Sequence, residues 1–224
     1  MKAFARRNGL SLFFLSIFLL ALGLQSLAGW QDFNNDQLRH QGDAIGYGRY
    51  LLSSEFGVAM LENWQSEYLQ FALYITATVW FLQRGSPESK ELDKAGGESD
   101  KEQKVGRHAD EDSPLWARAG GTRTRLYSNS LLIAMGTIWL LSWLGQAITG
   151  RVAYNEERLE HHQSGLDFVQ YVGSADFWER TLQNWQSEFL AVGSMAILAV
   201  YLRQRGSPES KPVGAAHEHT GVTG

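Results

Sequence analysis

The sequence predicts an all-α membrane protein with four transmembrane helices, arranged as two parallel two-helix repeats that form a bundle. Three observations carry this reading. The apolar residues collect into four blocks, the chain repeats itself at an offset of 121 positions, and most Lys and Arg residues fall on one side of the blocks. Averages conceal the pattern. Of the 224 residues 44% are apolar and 20% charged, with a net charge of −4, and the mean hydropathy of −0.26 is that of an ordinary soluble chain. The absence of Cys excludes a disulfide framework, a thiolate metal site and thiol redox chemistry. A net charge of −4 gives no general drive towards nucleic acid. No cofactor and no nucleic-acid partner is expected.

The first block, from Leu10 to Gly29, carries no charge. Its length in helical residues, at about 1.5 Å each, gives roughly 30 Å, the thickness of a bilayer core. The expected spans are about 10–29, 64–83, 131–149 and 185–203. The first and third are clean; the second and fourth carry Glu67 and Glu188 near their starts. With the N-terminus inside, the three cytoplasmic stretches hold 15 Lys and Arg and the two outer loops hold 5. That bias orients the chain with both termini in the cytoplasm. Lys2, Arg6 and Arg7 followed by Ser26-Leu27-Ala28 also fit a signal peptide.

The repeat decides against that alternative. Asn63-Trp64-Gln65-Ser66-Glu67 recurs as Asn184-Trp185-Gln186-Ser187-Glu188, and Gln83-Arg84-Gly85-Ser86-Pro87-Glu88-Ser89-Lys90 recurs at 204–211. Without a gap, 29 of 83 aligned positions are identical, where chance gives about five. The first block matches the third, which lies in mid-chain and cannot be a signal peptide. Each unit reads helix, outer loop, helix, so both enter the membrane in the same orientation. Residues 1–90 are expected to be repeat 1, and 129–211 repeat 2. Residues 91–128 read as a disordered cytoplasmic linker and 212–224 as a disordered cytoplasmic tail, on composition. Loops 30–53 and 151–174 are expected to fold over the outer mouth, and small residues such as Ser16, Gly136, Thr137, Gly193 and Ser194 to let helices pack closely.

Ser53-x-Glu55-Phe56 and Ser174-x-Asp176-Phe177 read as helix starts, with Ser capping and an acid in the first turn. Without a Pro to interrupt them, these helices are expected to run from Ser54 to Arg84 and from Ala175 to Arg205. Trp64 and Trp185 then fit an aromatic belt, Arg84 and Arg205 an anchor at anionic headgroups, and Gly85 the C′ position of a helix. Glu67 falls at or just inside the outer boundary, where an ionisable group is costly unless it faces protein or water. Asn63, Ser66 and Glu67 share a helix face by spacing. Two readings stand for Glu67, Glu188, Asn63 and Asn184: a carboxylate pair binding a cation or proton near the pseudo-twofold axis, or a helix interface tied by hydrogen bonds. Gln25 and Gln146 lie at comparable depth and are candidate partners for the Glu residues.

His40 and His161 recur at equivalent outer-loop positions, and with His162 and nearby carboxylates they give a further metal or enzymatic reading. The spans hold no His for a transmembrane haem. No nucleophile, phosphate-loop or zinc signature occurs, so no catalytic residue and no metal ligand is assigned.

The residues Asn8-Gly9-Leu10-Ser11, Gln25-Ser26-Leu27-x-Gly29-Trp30, Tyr47-x-x-Tyr50-Leu51, Glu62 to Gln70 and Gln83-Arg84-Gly85-Ser86-x-Glu88-Ser89-Lys90 resemble a family of small bacterial membrane proteins known as a domain of unknown function. The resemblance covers nearly the whole chain outside the linker and tail. It implies an integral protein of the bacterial cytoplasmic membrane and supplies no activity. The expected role is structural or accessory and non-enzymatic, in the lipid bilayer, with a homo-oligomer or another membrane protein as partner. The alternatives are a small proton or cation conduit through Glu67 and Glu188, and an envelope enzyme or metal-binding protein using the outer-loop His residues.

Overall fold

The computed structural model describes residues 2–223, with side chains from residue 4 onward. Among them there is no strand. The helices are α1 (Lys2–Arg7), α2 (Gly9–Arg39), α3 (Tyr47–Tyr50), α4 (Ser54–Trp80), α5 (Leu115–Arg118), α6 (Gly121–Ser128), α7 (Ser130–Glu160), α8 (Phe168–Val172) and α9 (Ala175–Tyr201), with one 3-10 turn at Gly106–His108. Helices α2 and α7 each have 31 residues, and α4 and α9 each have 27. Within each pair the starts lie 121 positions apart. By length and composition α2 and α7 are apolar enough to cross a membrane. The segment 91–128 holds the 3-10 turn, α5 and α6.

The chain divides into two compact units, 1–60 with 145–171 and 61–144 with 172–224. In the first, α2 and α7 continue to Arg39 and Glu160, about ten residues beyond the apolar blocks. The expected loops 30–53 and 151–174 therefore shrink to 40–53 and 161–174. Neither Gln31–Arg39 nor Arg151–Glu160 contains Pro or Gly, so nothing breaks the backbone ladder where the hydropathy falls. Both helices stop in the same way. Gln41 (φ 63°) and His162 (φ 57°) turn left-handed, and the next amides reach back five residues, Gly42 to the Gln37 carbonyl at 2.7 Å and Gln163 to the Arg158 carbonyl at 2.8 Å.

Each shortened loop is then clamped to its helix by an Asn. The Asn34 side chain accepts from the Ile45 N–H at 2.8 Å and donates to the Ile45 carbonyl at 3.0 Å. Asn155 does the same to Leu166, at 2.7 and 2.9 Å. A buried Tyr follows each clamp. Tyr50 packs against Phe33 and lies so close to Gly29 that a Cβ there would strike its hydroxyl; Tyr171 packs against Tyr154 and stands likewise against Gly150. Gly57, in the first turn of α4, leaves no room for a Cβ beside Thr149. Close approach in this unit thus depends on Gly29, Gly57 and Gly150. The expected Gly136 and Gly193, both in the other unit, face open space. Ser53 and Ser174 cap α4 and α9 as expected, each hydroxyl accepting from an N–H three residues on at 3.3 Å.

In the second unit α4 and α9 end at Trp80 and Tyr201, four residues short of the expected Arg84 and Arg205. The cause is in the loops that follow. The Gln83 amide is taken by the Ser89 hydroxyl at 3.0 Å, and the Gln204 amide by Ser210 at 2.9 Å. The Val79 carbonyl, which the Gln83 amide would have used, accepts from Gly96 instead. Gly85 and Gly206 sit in the tight turns beyond, at φ of 83° and 79°, rather than at the helix C′ position. There the Ser86 amide bonds the Gln83 carbonyl at 3.0 Å and the Ser207 amide the Gln204 carbonyl at 3.2 Å. Each loop closes on its Lys. Lys90 bonds the Gly96 carbonyl and pairs with Glu98, while buried Lys211 donates to the carbonyls of Ala216, His217 and His219.

Candidate functional site

The polar residues of the second unit gather at two levels along α4 and α9. The first is the Asn-Trp-Gln-Ser-Glu level. Gln65 is fully buried; its amide donates to the Glu62 carbonyl at 3.0 Å, and its carbonyl accepts from the Trp185 indole on α9 at 2.8 Å. One turn earlier, Arg180 of α9 lies 3.4 Å from Glu62 of α4 and 3.1 Å from Asp176 of its own helix. Burial pushes the Glu62 carboxyl above its ordinary range, against the pull of Arg180. Ser66 is buried with its hydroxyl on the Asn63 carbonyl.

The residues expected to matter fall around this tie. Glu67 is exposed, Glu188 is half-buried, and the charge of Glu188 acts on Glu67. Asn63 is exposed, while Asn184 is half-buried with its amide on the Arg180 carbonyl at 2.8 Å. Trp64 is half-buried. Gln25 and Gln146, both in the first unit, differ: Gln25 is exposed and Gln146 fully buried. Residues Glu62, Gln65 and Arg180 were not singled out from sequence, although Gln65 lies inside the repeated motif.

The second level is formed by the loops 83–90 and 204–211. Their Glu88 and Glu209 meet, carboxyl to carboxyl, and the Tyr74 hydroxyl donates to Glu88. Beside them opens a cavity of about 350 Å³, walled by Phe71, Ala191, Val192, Met195 and Ala196. From sequence this motif reads as a stop and anchor, with docking of a cytoplasmic partner as the alternative, and the pair is not visible. The signal available was that both Glu residues belong to the longest identical stretch of the repeat.

Two carboxyls in contact share one proton. The hydrogen bond from Glu209, supported by Tyr74, holds Glu88 below the usual carboxylate range. The same bond, and then the charge of Glu88, pushes Glu209 up. The lowered group contributes stability that is lost as pH falls through its folded value. The raised group contributes stability that is lost as pH rises through its own. The contact is therefore strongest within the carboxylate range and weakens towards neutrality. Glu209→Gln keeps an N–H donor towards Glu88 and has no proton to lose. Between about pH 5 and about pH 8 the wild type is expected to lose thermal midpoint relative to this variant; parallel curves would refute the shared proton.

Arg84 pairs with Glu218 at 2.7 Å, and Arg205 is exposed. His40 is exposed and bonds the Asp36 carbonyl one turn back on its own helix. The 900 Å³ open cavity of the first unit is lined by Asp43, Arg49, Glu156 and Glu160 and by neither His40 nor His161. Among the described residues no three of His, Asp and Glu come together as a metal set.

One family model, a domain of unknown function (DUF6766), matches residues 1–222. No curated protein and no solved structure matches the chain.

Proposed function

The chain belongs to the DUF6766 family, and on that premise we propose an integral protein of the bacterial cytoplasmic membrane, with four spans from a duplicated two-helix unit and a structural or accessory role rather than an enzymatic one. The observation that carries the membrane reading is where the apolar side chains are left. In the most apolar windows of α2 and α7 only 6% and 17% of residues are buried. A core helix of a soluble protein would cover such side chains; Leu10, Phe13, Leu20 and Leu141 stay more than half exposed. Hydrocarbon supplies the missing surroundings. For α4 and α9, the stretch after Trp64 and Trp185 is about 25 Å long, with Trp at one end and Arg84 or Arg205 beyond the other, which suits a span with snorkelling flanks. Equal helix lengths at one offset support the duplication.

The structural role rests on the tie between α4 and α9. Gln65 and Trp185, from different copies of one motif, hold each other, and Glu62 and Arg180 add an ion pair beside them. This is the pattern of a polar helix interface. The placement of Glu67 and Glu188 just beyond the Gln65–Trp185 tie on α4 and α9 favours a second reading, a proton or cation conduit.

Reporter fusions after residue 100 and at the C-terminus test the topology. Both are expected to report cytoplasm, and an outside signal from either overturns the orientation. Flux into proteoliposomes tests the role. Wild type and Glu67→Gln/Glu188→Gln are expected to be alike and silent; a proton or cation flux present only in the wild type replaces the structural reading with the conduit.

A further inference from the structure

The loops 83–90 and 204–211 share one sequence and one internal hydrogen-bond pattern, yet differ in what covers them. In the first, Gly85, Ser86 and Pro87 are buried; in the second, Gly206 and Pro208 are exposed and Ser207 is half-buried. The cover on the first loop is the segment 217–221. Arg84 grips Glu218 at 2.7 Å, the Gly85 N–H donates to the Thr220 hydroxyl at 2.9 Å, and the Gly221 N–H donates to the Ser86 carbonyl at 3.0 Å. The fit is close: a Cβ on Gly85 would run into the His217 carbonyl, whereas one on Gly206 meets nothing within 4 Å.

The second loop presents the same groups uncovered. Its Arg205 guanidinium and Gly206 N–H stand where Arg84 and Gly85 hold Glu218 and Thr220. Beside them a pocket of about 270 Å³ is bounded by Arg205, Gly206, Lys211, Pro212 and Val213. We propose that loop 204–211 is a docking site for an extended segment of a partner protein that carries a carboxylate, a hydroxyl two residues later and then Gly, the chemistry of residues 218–221. Residues 217–221 do not fill it, because they already lie on the first loop, and their exchange between copies would still leave one of the two loops of each chain open. The Lys211 ammonium, bonded to the carbonyls of residues 216, 217 and 219, also holds the root of the tail in place.

A dye-labelled, amidated peptide of residues 214–223 serves as the probe, titrated into the purified full-length protein. Binding of one peptide per chain is expected, with a dissociation constant of about 0.1–1 mM for so few polar contacts. Arg205→Glu is expected to weaken it by at least about tenfold, and a peptide with Glu218→Lys to regain binding to that variant while losing it to the wild type. No binding to the wild type, or equal binding to Arg205→Glu, overturns the proposal. The second result would mean that the peptide merely displaces the resident tail from the first loop.

Discussion

Replacing Tyr171 with Ala is expected to cost about 3–5 kcal/mol, the range for deleting a large, fully covered aromatic side chain. Tyr171 has no exposed surface. Its ring lies 5.8 Å from that of Tyr154, and its hydroxyl end fills the space beside Gly150 that a Cβ would need. Its amide bonds the Asp167 carbonyl at 3.0 Å, just after the loop that Asn155 clamps. Loss of the ring therefore empties a fully covered site next to that loop. Gly150→Ala tests the same spot from the other side. The added Cβ meets the hydroxyl, and overpacking of this kind costs about 1–3 kcal/mol. Combining it with Tyr171→Phe removes the atom in conflict, so the double variant is expected to be less destabilised than the two single costs added together. Unfolding midpoints in detergent read these four variants against the wild type. A change below about 1 kcal/mol for Tyr171→Ala would mean that the loop does not rest on this residue.

The comparison between Tyr171 and Tyr50 shows what sequence reasoning reaches. Both positions were visible as identities at one offset, and so were Asn34 with Asn155 and Gly29 with Gly150. What each does was not visible, because a clamp or a close approach needs a loop folded back on its helix. Hydropathy located the apolar stretches of α2 and α7 but not the turns by which both helices continue beyond them. Gln31–Arg39 and Arg151–Glu160 are polar, and a polar helix continues as readily as an apolar one when no breaker intervenes. The opposite error occurred at Trp80 and Tyr201. There the chain beyond is free of Pro for six residues, yet the helix stops, because the Ser89 and Ser210 hydroxyls take the amides of Gln83 and Gln204. Identity also did not guarantee equal surroundings. Gln25 and Gln146 occupy matching positions, one exposed and one buried. Gly85 and Gly206 make the same turn, one beneath the tail and one in the open. Glu88 and Glu209 were legible as a conserved pair within the repeat but not as neighbours, since contact between two distant loops leaves no mark on local spacing.

Trp185→Phe is expected to cost about 1–3 kcal/mol, the penalty for stranding a buried acceptor. The substitution keeps an aromatic ring but trims the indole to a phenyl, and with the lost atoms goes the N–H that Gln65 Oε1 accepts at 2.8 Å. Gln65 has no exposed surface, so water cannot replace the lost donor. Gln65→Leu is expected to cost less, about 0.5–1.5 kcal/mol, because the half-buried indole can turn its N–H towards water or a headgroup. The two effects should not add. With both polar partners gone nothing is stranded, and the double variant is expected to recover at least about 1 kcal/mol against the sum. Additive losses would show that the tie contributes only packing. The order of the single variants also bears on the role of Glu67, two residues further along the same helix. If the tie fixes the interface, Trp185→Phe loosens α4 against α9, whereas Glu67→Gln leaves the unfolding midpoint within about 0.5 kcal/mol of wild type, because the carboxylate is exposed and holds no partner that the interface needs. A large loss with Glu67→Gln and none with Trp185→Phe would invert that assignment and place the energetic centre of the motif on its carboxylates.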